Sequence, residues 1–270
     1  LVLHAAGEPL DGSFEAWGRE IGPLAAARIE NLAAARCNSR KPLAYLTGMA
    51  FFAGLEFEVD ENVLVPRSPI AEVILDGFRP WVQTSQVRHC LDMCTGSGCI
   101  AIASAVHLPV AQVDAADISR EALAVASRNV ERHGMSGRVR LFESDLFQSI
   151  PPCRYDLIVA NPPYVPEPAL ATLPREFRGE PGLGLASGGD GLDAVLRILS
   201  DAPRYLAPEG VLVCEVGESE EWLAGTLPRT PFLWLEFERG GSGVFVLTRQ
   251  QLEEAGPEVA AALGKRDHVT

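Results

Sequence analysis

The run Asn161-Pro162-Pro163-Tyr164 directly follows the apolar segment 155–160. That segment has the pattern of a buried strand, and open α/β sheets bind their ligands just beyond the ends of their strands. Two consecutive prolines have no backbone N–H, so the turn offers carbonyl acceptors, to which Asn161 adds an amide oxygen and Tyr164 a flat ring. Asn161 and the carbonyl of Pro162 could accept both hydrogens of a planar NH2 group. An ordinary tight turn is the alternative interpretation.

A glycine-rich turn with the sequence Asp-Met-Cys-Thr-Gly-Ser-Gly occupies residues 92–98, upstream of this run. The pattern predicts a strand over 87–93 before it and a helix over 98–107 after it. Glycine has no Cβ and therefore lets the backbone approach a ligand closely. The next predicted strand ends at Asp117, about twenty residues further along, where an acidic side chain can bind both hydroxyls of a ribose.

Nicotinamide enzymes, flavin enzymes and methyltransferases all combine such a turn with a downstream acid. The turn here lacks the third glycine with which dinucleotide-binding folds pack their helix against a pyrophosphate. This favours a cofactor without phosphate, such as S-adenosylmethionine. Its positive sulfonium would also suit the acidic side chains of Asp92, Asp117 and Asp145.

From residue 87 onward, predicted strands alternate with predicted helices, which is typical of a parallel sheet. The predicted strands cover 87–93, 111–116, 138–143, 155–160, 210–217, 232–238 and 244–248. The last two are closely joined and must be antiparallel, since a parallel pair needs a long crossover. The Pro- and Gly-rich segment 166–191 is longer than most connections without secondary structure and predicts an active-site flap.

The first third of the chain has a different pattern. Apolar positions at helical spacing over 14–37 predict two helices that break at Gly22-Pro23. The segments 51–59 and 63–65 predict a β-hairpin that turns at 60–62. A proline-bounded corner with the cation of Arg67 follows, and a helix is expected from there to Val82.

The composition limits the classes of partner. The 270 residues carry a formal net charge of -13, which argues against broad capture of a phosphate backbone and favours a basic protein partner. The six cysteines lack the spacing of a zinc site, so no metal is expected. No apolar run of about eighteen residues and no secretory signal is present, so we expect a cytoplasmic protein without a membrane span. Because the chain opens on Leu, we expect further residues before it.

The glycine-rich turn resembles that of class I methyltransferases, and its combination with Asn161-Pro162-Pro163-Tyr164 resembles the HemK family of protein glutamine methyltransferases. The resemblance extends over nearly the whole chain. The segments 51–55 (Phe-Phe-Ala-Gly-Leu) and 64–70 (Leu-Val-Pro-Arg-Ser-Pro-Ile) are similar to the PrmB branch, which methylates a glutamine of large ribosomal subunit protein three. The release-factor branch usually has Pro-Arg-Pro-Glu-Thr-Glu at that corner.

This resemblance implies an α/β, Rossmann-like class I methyltransferase fold with a mixed seven-stranded sheet whose last strand is antiparallel. It implies a helical substrate-recognition subdomain over 1–50, a β-hairpin linker over 51–66 and an S-adenosylmethionine-dependent methyltransferase domain over 67–270. The implied cofactor-binding residues are Asp92, Thr95, Gly96, Ser97, Gly98, Asp117, Asp145, Leu146 and Asn161.

Within this implied set, the glycine-rich turn lines the methionine end of the cofactor, Asp117 binds the ribose, and Asp145 with Leu146 borders the adenine. Asn161 and the carbonyl of Pro162 would bind the substrate amide, with Pro163 and Tyr164 completing the catalytic turn. Arg67 and Glu215 are candidates for the wall of the substrate pocket. Surface exposure or core packing is the alternative for each of these two.

Several alternative functions fit parts of the pattern. Methylation of an exocyclic amine in RNA or DNA is the nearest, because the same turn suits adenine or guanine, but the acidic charge and the lack of a basic, aromatic-rich segment oppose it. The others are methylation of release factors, a cofactor-bound binding module without turnover, and a nicotinamide oxidoreductase. We expect a basic ribosomal protein as the partner, free or within a ribosome assembly intermediate, with no direct readout of nucleic acid.

Overall fold

A computed structural model describes residues 2–7 and 20–266. Within these residues, three helices precede the first strand: α1 (Val2–Ala6), α2 (Pro23–Ser39) and α3 (Leu43–Thr47). Pro23 opens α2 because the first turn of a helix needs no N–H from that residue. The predicted helix before Gly22 begins at residue 14, and most of it lies outside the described residues.

A two-stranded antiparallel hairpin follows, formed by β1 (Met49–Phe52) and β2 (Leu55–Glu58). Its two-residue turn is Ala53-Gly54, and both residues have positive φ, at 47° and 78°. The predicted turn at 60–62 is therefore wrong, because the chain already reverses at 53–54, within the segment 51–59 that the pattern indicated as one strand. Two-residue hairpin turns require this left-handed conformation, which Gly54 adopts freely and Ala53 does not.

The main sheet has seven strands in the order β5-β4-β3-β6-β7-β9-β8. They are β3 (His89–Met93), β4 (Gln112–Asp117), β5 (Val139–Glu143), β6 (Tyr155–Ala160), β7 (Leu206–Glu215), β8 (Leu233–Trp234) and β9 (Val244–Thr248). The strands β3 to β7 are parallel, and β9 is antiparallel to both of its neighbours. The prediction of a mixed seven-stranded sheet is confirmed, although the expected strand over 232–238 is reduced to a two-residue edge.

Helices cover both faces of the sheet. They are α4 (Ile70–Leu75), α5 (Cys99–His107), α6 (Arg120–Arg132), α7 (Asp193–Tyr205), α8 (Glu220–Thr226) and α9 (Arg249–Arg266). The helix expected to reach Val82 ends at Leu75, because Gly77 and Phe78 have positive φ, at 65° and 59°. The helix α9 is absent from the sequence expectations, since Gly256-Pro257 in its middle indicates a break.

The segment 166–191, called the flap below, contains three short 3-10 helices at Glu167–Thr172, Phe177–Gly179 and Gly182–Gly184. A parallel bridge joins Val165, the residue just before the flap, to Ala186 within the flap. Among the described residues, no helix is both long and apolar enough to cross a membrane. The same residues contain no group of three or more His, Cys, Asp or Glu side chains that could hold a metal ion.

Candidate active site

A cavity of about 960 Å³ opens at the carboxyl ends of the parallel strands. This is the edge of an open α/β sheet at which ligands bind. Twelve of the residues singled out from the sequence line it: Arg67, Thr95, Gly96, Ser97, Asp117, Asp145, Leu146, Asn161, Pro162, Pro163, Tyr164 and Glu215. Asp92 and Gly98 are not part of its wall. The turn Asn161-Pro162-Pro163-Tyr164 is called the acceptor turn below. It is distant in sequence from the glycine-rich turn, yet both turns line this one cavity.

The Asp117 carboxylate is held in place by backbone donors from two segments. Its Oδ2 accepts a hydrogen bond from the Gly96 N–H at 2.8 Å, and its Oδ1 accepts one from the Ser119 N–H at 2.9 Å. Gly96 has a φ of 55°, the left-handed conformation that glycine tolerates best. Each carboxylate oxygen has a second lone pair, so Asp117 can still accept hydrogen bonds from hydroxyl groups in the cavity.

Asp92 and Gly98 lie behind the wall of the cavity and support it. Asp92 is fully buried, and its Oδ2 accepts hydrogen bonds from the Thr95 hydroxyl and from the Ala101 N–H. Burial raises the pKa of Asp92 to about 7. Gly98 begins α5 with a φ of 79°, and a Cβ there would lie 3.2 Å from the Cβ of Ala126 on α6. Both residues support the turn, and neither lines the cavity.

The wall beyond Asp117 combines apolar side chains with one acidic group. Leu146 has a positive φ of 49°, and its carbonyl accepts a hydrogen bond from the Ser144 hydroxyl at 2.6 Å. Asp145 pairs with Arg197 at 2.9 Å. Ile118, which the sequence reading passed over, is 49% exposed and lines the cavity next to Asp117. Ile118 and Leu146 give this part of the wall an apolar surface that suits a flat ring.

The acceptor turn is fixed through Tyr164. The Tyr164 hydroxyl donates to Glu215 Oε1 at 3.2 Å, and the Tyr164 carbonyl accepts from the Ser219 hydroxyl at 2.8 Å. A Cβ at Gly217 would lie 2.6 Å from Cε2 of the Tyr164 ring, so only glycine fits beneath it. The ring orientation of Tyr164 is thus set by the end of β7 and the residues after it.

Glu215, the last residue of β7, connects the turn to the corner that contains Arg67. Its carboxylate is 5% exposed and accepts hydrogen bonds from the hydroxyls of Ser68 and Tyr164. Burial raises the pKa of Glu215, and these two hydrogen bonds oppose the shift. Glu215 is therefore both a lining residue and a fixed anchor for the acceptor turn.

Arg67 links the proline-bounded corner to the flap. Its two terminal nitrogens donate to the two oxygens of Glu180, at 2.7 and 2.8 Å. The Glu180 side chain is only 2% exposed, whereas that of Arg67 is 45% exposed. The Arg67 guanidinium also lies 4.7 Å from the ring centroid of Phe177, within range of a cation–π interaction. One cation at the corner thus contacts two residues of the flap.

Comparison with known proteins identifies the family. Residues 78–177 match the methyltransferase small domain. The ribosomal protein uL3 glutamine methyltransferase of Bordetella pertussis is 46% identical over 253 residues, which cover 93% of this chain and 85% of that protein. The protein of the same name from Xylella fastidiosa is 47% identical over 271 residues, with 98% and 85% covered. The chain belongs to the ribosomal protein uL3 glutamine methyltransferase family. The resemblance stated from the sequence is thereby confirmed.

Solved structures share the fold of this family member. A methyltransferase from Pyrococcus furiosus superposes with a TM-score of 0.54 at 20% identity, over 83% of this chain and 96% of that one. The hMettl16 catalytic domain in complex with MAT2A 3'UTR hairpin 1 gives 0.57 at 16% identity, over 84% and 81%. At such identities these similarities indicate a shared methyltransferase architecture alone.

Two residues that support the site in this uL3 methyltransferase family member, Asn129 and Glu180, were not predicted from the sequence. Asn129 on α6 is fully buried; its Oδ1 accepts from the Glu58 N–H at 2.8 Å, and its Nδ2 donates to the carbonyls of Glu58 and Ser97, both at 2.9 Å. A lone amide on the apolar face of a predicted helix was the available signal. Glu180 gave no signal, since nothing local distinguishes it from the other acids of the flap.

Proposed function

We propose that this chain transfers a methyl group from S-adenosylmethionine to the side-chain amide nitrogen of a glutamine in ribosomal protein uL3. One observation carries the proposal: the acceptor turn at Asn161 and the glycine-rich turn line the same cavity. The names of relatives 46% and 47% identical to this chain support the choice of uL3. The cytoplasm, where ribosomal proteins are made, is the proposed place of action.

The cavity wall fits S-adenosylmethionine. Asp117 offers carboxylate lone pairs for ribose hydroxyls, while Ile118 and Leu146 offer an apolar surface for the adenine. Asp145 adds a negative side chain, and Gly96 keeps the backbone free of a side chain at the methionine end. When bound, the cofactor would supply an electrophilic methyl group on a sulfonium.

The acceptor turn would orient and activate the amide. An amide nitrogen is a poor nucleophile because its lone pair is delocalised into the carbonyl. Hydrogen bonds from its two hydrogens to the Asn161 side-chain oxygen and the Pro162 carbonyl would raise its electron density and fix its direction of attack. Attack of this nitrogen on the methyl group would leave the sulfur as a neutral thioether, and the methylated amide, a strong acid, would release its extra proton to water. No strong base is required.

Recognition of the protein substrate is proposed to involve the helical N-terminal region. Arg36 and Arg40 at the end of α2 pair with Glu176 of the flap, at 3.3 and 2.6 Å. This connects α2 to the flap, which lines the cavity. The proposed division is a substrate-recognition subdomain over 1–50, a hairpin linker over 51–66 and a methyltransferase domain over 67–270. The net charge of -13 suits a basic substrate.

The first prediction tests the acceptor turn. Asn161→Ala removes one acceptor for the amide, so we expect kcat to fall by about a hundredfold or more while the affinity for S-adenosylmethionine is largely kept. The measurement is transfer of labelled methyl from S-adenosylmethionine to unmethylated uL3, with the target glutamine located by mass spectrometry.

Gln250→Ala serves as the matched control, because it truncates an exposed side-chain amide on α9 that does not line the cavity. Unmethylated release factor and protein-free RNA are offered as competing acceptors in the same assay. Near-normal turnover by Asn161→Ala, or methyl transfer to RNA in place of uL3, would refute the proposed function.

A further inference from the structure

The acceptor turn stands between two sides of the cavity. In the sheet, β6 lies between β3 and β7, with β4 and β5 beyond β3. The residues suited to the cofactor lie at or just after the ends of β3, β4 and β5, whereas Glu215 ends β7, and Gly217 and Glu218 follow it. A substrate amide bound by Asn161 must therefore enter with its flanking residues on the β7 side.

One large apolar side chain is exposed after β7, and a second is exposed in the flap. Trp222 on α8 lines the cavity and is 64% exposed. Leu183 of the flap lines the same cavity and is 60% exposed. Exposed apolar surface at the mouth of a cavity indicates a partner that covers it. Tryptophan is also among the side chains that contribute most to binding energy in protein interfaces.

The same short segment is acidic. Glu218 is exposed and lines the cavity, and Glu221 is exposed next to Trp222. Within residues 20–266, neither carboxylate takes part in an ion pair. Arg67 and Arg197, two cations of the cavity wall, are already paired, with Glu180 and Asp145 respectively. The β7-side rim, defined as Glu218, Glu221 and Trp222, thus presents negative charge beside an aromatic ring.

We propose that the β7-side rim binds the residues flanking the target glutamine in the protein substrate. Trp222 packs against an apolar side chain or an alkyl stem of that segment, and Glu218 and Glu221 attract its Lys or Arg residues. The proposal rests on the proposed function and specifies how it is directed to one class of substrate. Charge complementarity selects a basic protein segment and disfavours a nucleic acid.

The aromatic part of the rim is tested with Trp222→Ala. We expect the KM for unmethylated uL3 to rise about tenfold, with kcat and the Kd for S-adenosylmethionine unchanged. Trp222→Phe should restore most of the affinity because it keeps an apolar ring. Because Trp222 is exposed, both variants should fold, and their thermal unfolding is compared with that of the wild type.

The charged part is tested with the double variant Glu218→Gln and Glu221→Gln. We expect a three- to tenfold rise in KM at low salt and a flatter dependence of KM on salt concentration, since the lost attraction is the part that salt screens. The double variant Glu131→Gln and Glu209→Gln changes net charge equally at exposed positions outside the cavity and should leave KM unchanged.

The outcomes separate this inference from the proposed function. If the wild type fails to methylate uL3, both are refuted. If the wild type methylates uL3 and the rim variants keep its KM, the inference alone is refuted. It is also refuted if Trp222→Ala lowers only cofactor affinity, or if Trp222→Ala abolishes a wild-type dimer seen by sedimentation while KM is unchanged.

Discussion

At the scale of single residues, Asp92 places a titratable group in the centre of the protein. Its Oδ1 is buried and has no hydrogen-bond partner among the described residues, and burial raises the pKa from 3.8 to about 7. Between these two values the folded protein keeps a proton that the unfolded chain releases. The free energy of unfolding therefore falls as pH rises through this window, and the full penalty is reached above pH 7.

We predict that Asp92→Asn flattens this dependence. Asparagine keeps an oxygen for Thr95 and Ala101 but does not titrate. Between pH 5 and 7 the wild type should lose stability relative to the variant by up to about 1.4 kcal/mol per pH unit. Urea unfolding at several pH values measures this difference. Glu131→Gln, which replaces an exposed carboxyl, should follow the wild-type curve. Parallel curves for the wild type and Asp92→Asn would contradict the argument.

The roles that could be predicted from the sequence are those that depend on local chain geometry. Asn161 and Asp117 follow strand ends, and strand ends of a parallel sheet meet at one edge, so their shared cavity was predictable. The positions of Asp92 and Gly98 behind the wall were not, because they depend on contacts with α5 and α6 that no spacing encodes. Asn129 was missed for the same reason.

At the scale of elements, the flap depends on the ion pair between Arg67 and Glu180. Arg67→Ala would leave the nearly buried Glu180 carboxylate without its two donors, which destabilises the closed flap by about 2 kcal/mol. We expect amide hydrogen exchange over 166–191 to accelerate roughly thirtyfold. Hydrogen exchange measured by mass spectrometry provides the test.

Arg120→Ala is the control for this experiment. It breaks a pair with Glu143 in which both side chains are largely exposed, and such pairs contribute little to stability. Flap exchange in this variant should match the wild type. Unchanged exchange in Arg67→Ala would mean that the bridge between Val165 and Ala186 alone keeps the flap closed.

Elements were predictable where side-chain pattern decides the structure. The buried strand 155–160 and the helix over 98–107 match their predictions closely, because apolar periodicity is a local signal. The hairpin turn at Ala53-Gly54 and the helix α9 were not predicted. A positive φ at alanine and a proline inside a helix both oppose local preference, and packing outweighs that preference here.

At the scale of the whole molecule, the hairpin is attached to the methyltransferase domain through α6. Two exposed arginines of α6 form ion pairs with acids of β2 and of the residues just after it, Arg128 with Glu58 and Asp60, and Arg132 with Glu56. Exposed pairs of this kind stabilise weakly. The buried carboxamide of Asn129 contacts the same strand β2 and also the carbonyl of Ser97 in the glycine-rich turn. One side chain therefore connects the hairpin to the glycine-rich turn.

We predict that Asn129→Ala weakens both stability and cofactor binding. The backbone groups of Glu58 and the Ser97 carbonyl would lose their partners, at about 2–4 kcal/mol of unfolding free energy. Release of Ser97 would loosen the glycine-rich turn, so the affinity for S-adenosylmethionine should fall about tenfold. Urea unfolding and calorimetric titration measure the two effects.

Arg128→Ala is the control, because it removes exposed ion pairs between α6 and the hairpin region. Its free energy of unfolding should fall by less than about 1 kcal/mol, and its cofactor affinity should be kept. If Asn129→Ala lowers the free energy of unfolding but binds the cofactor normally, the prediction for binding is contradicted. The glycine-rich turn would then keep its shape without its link to the hairpin, and Asn129 would contribute to folding alone.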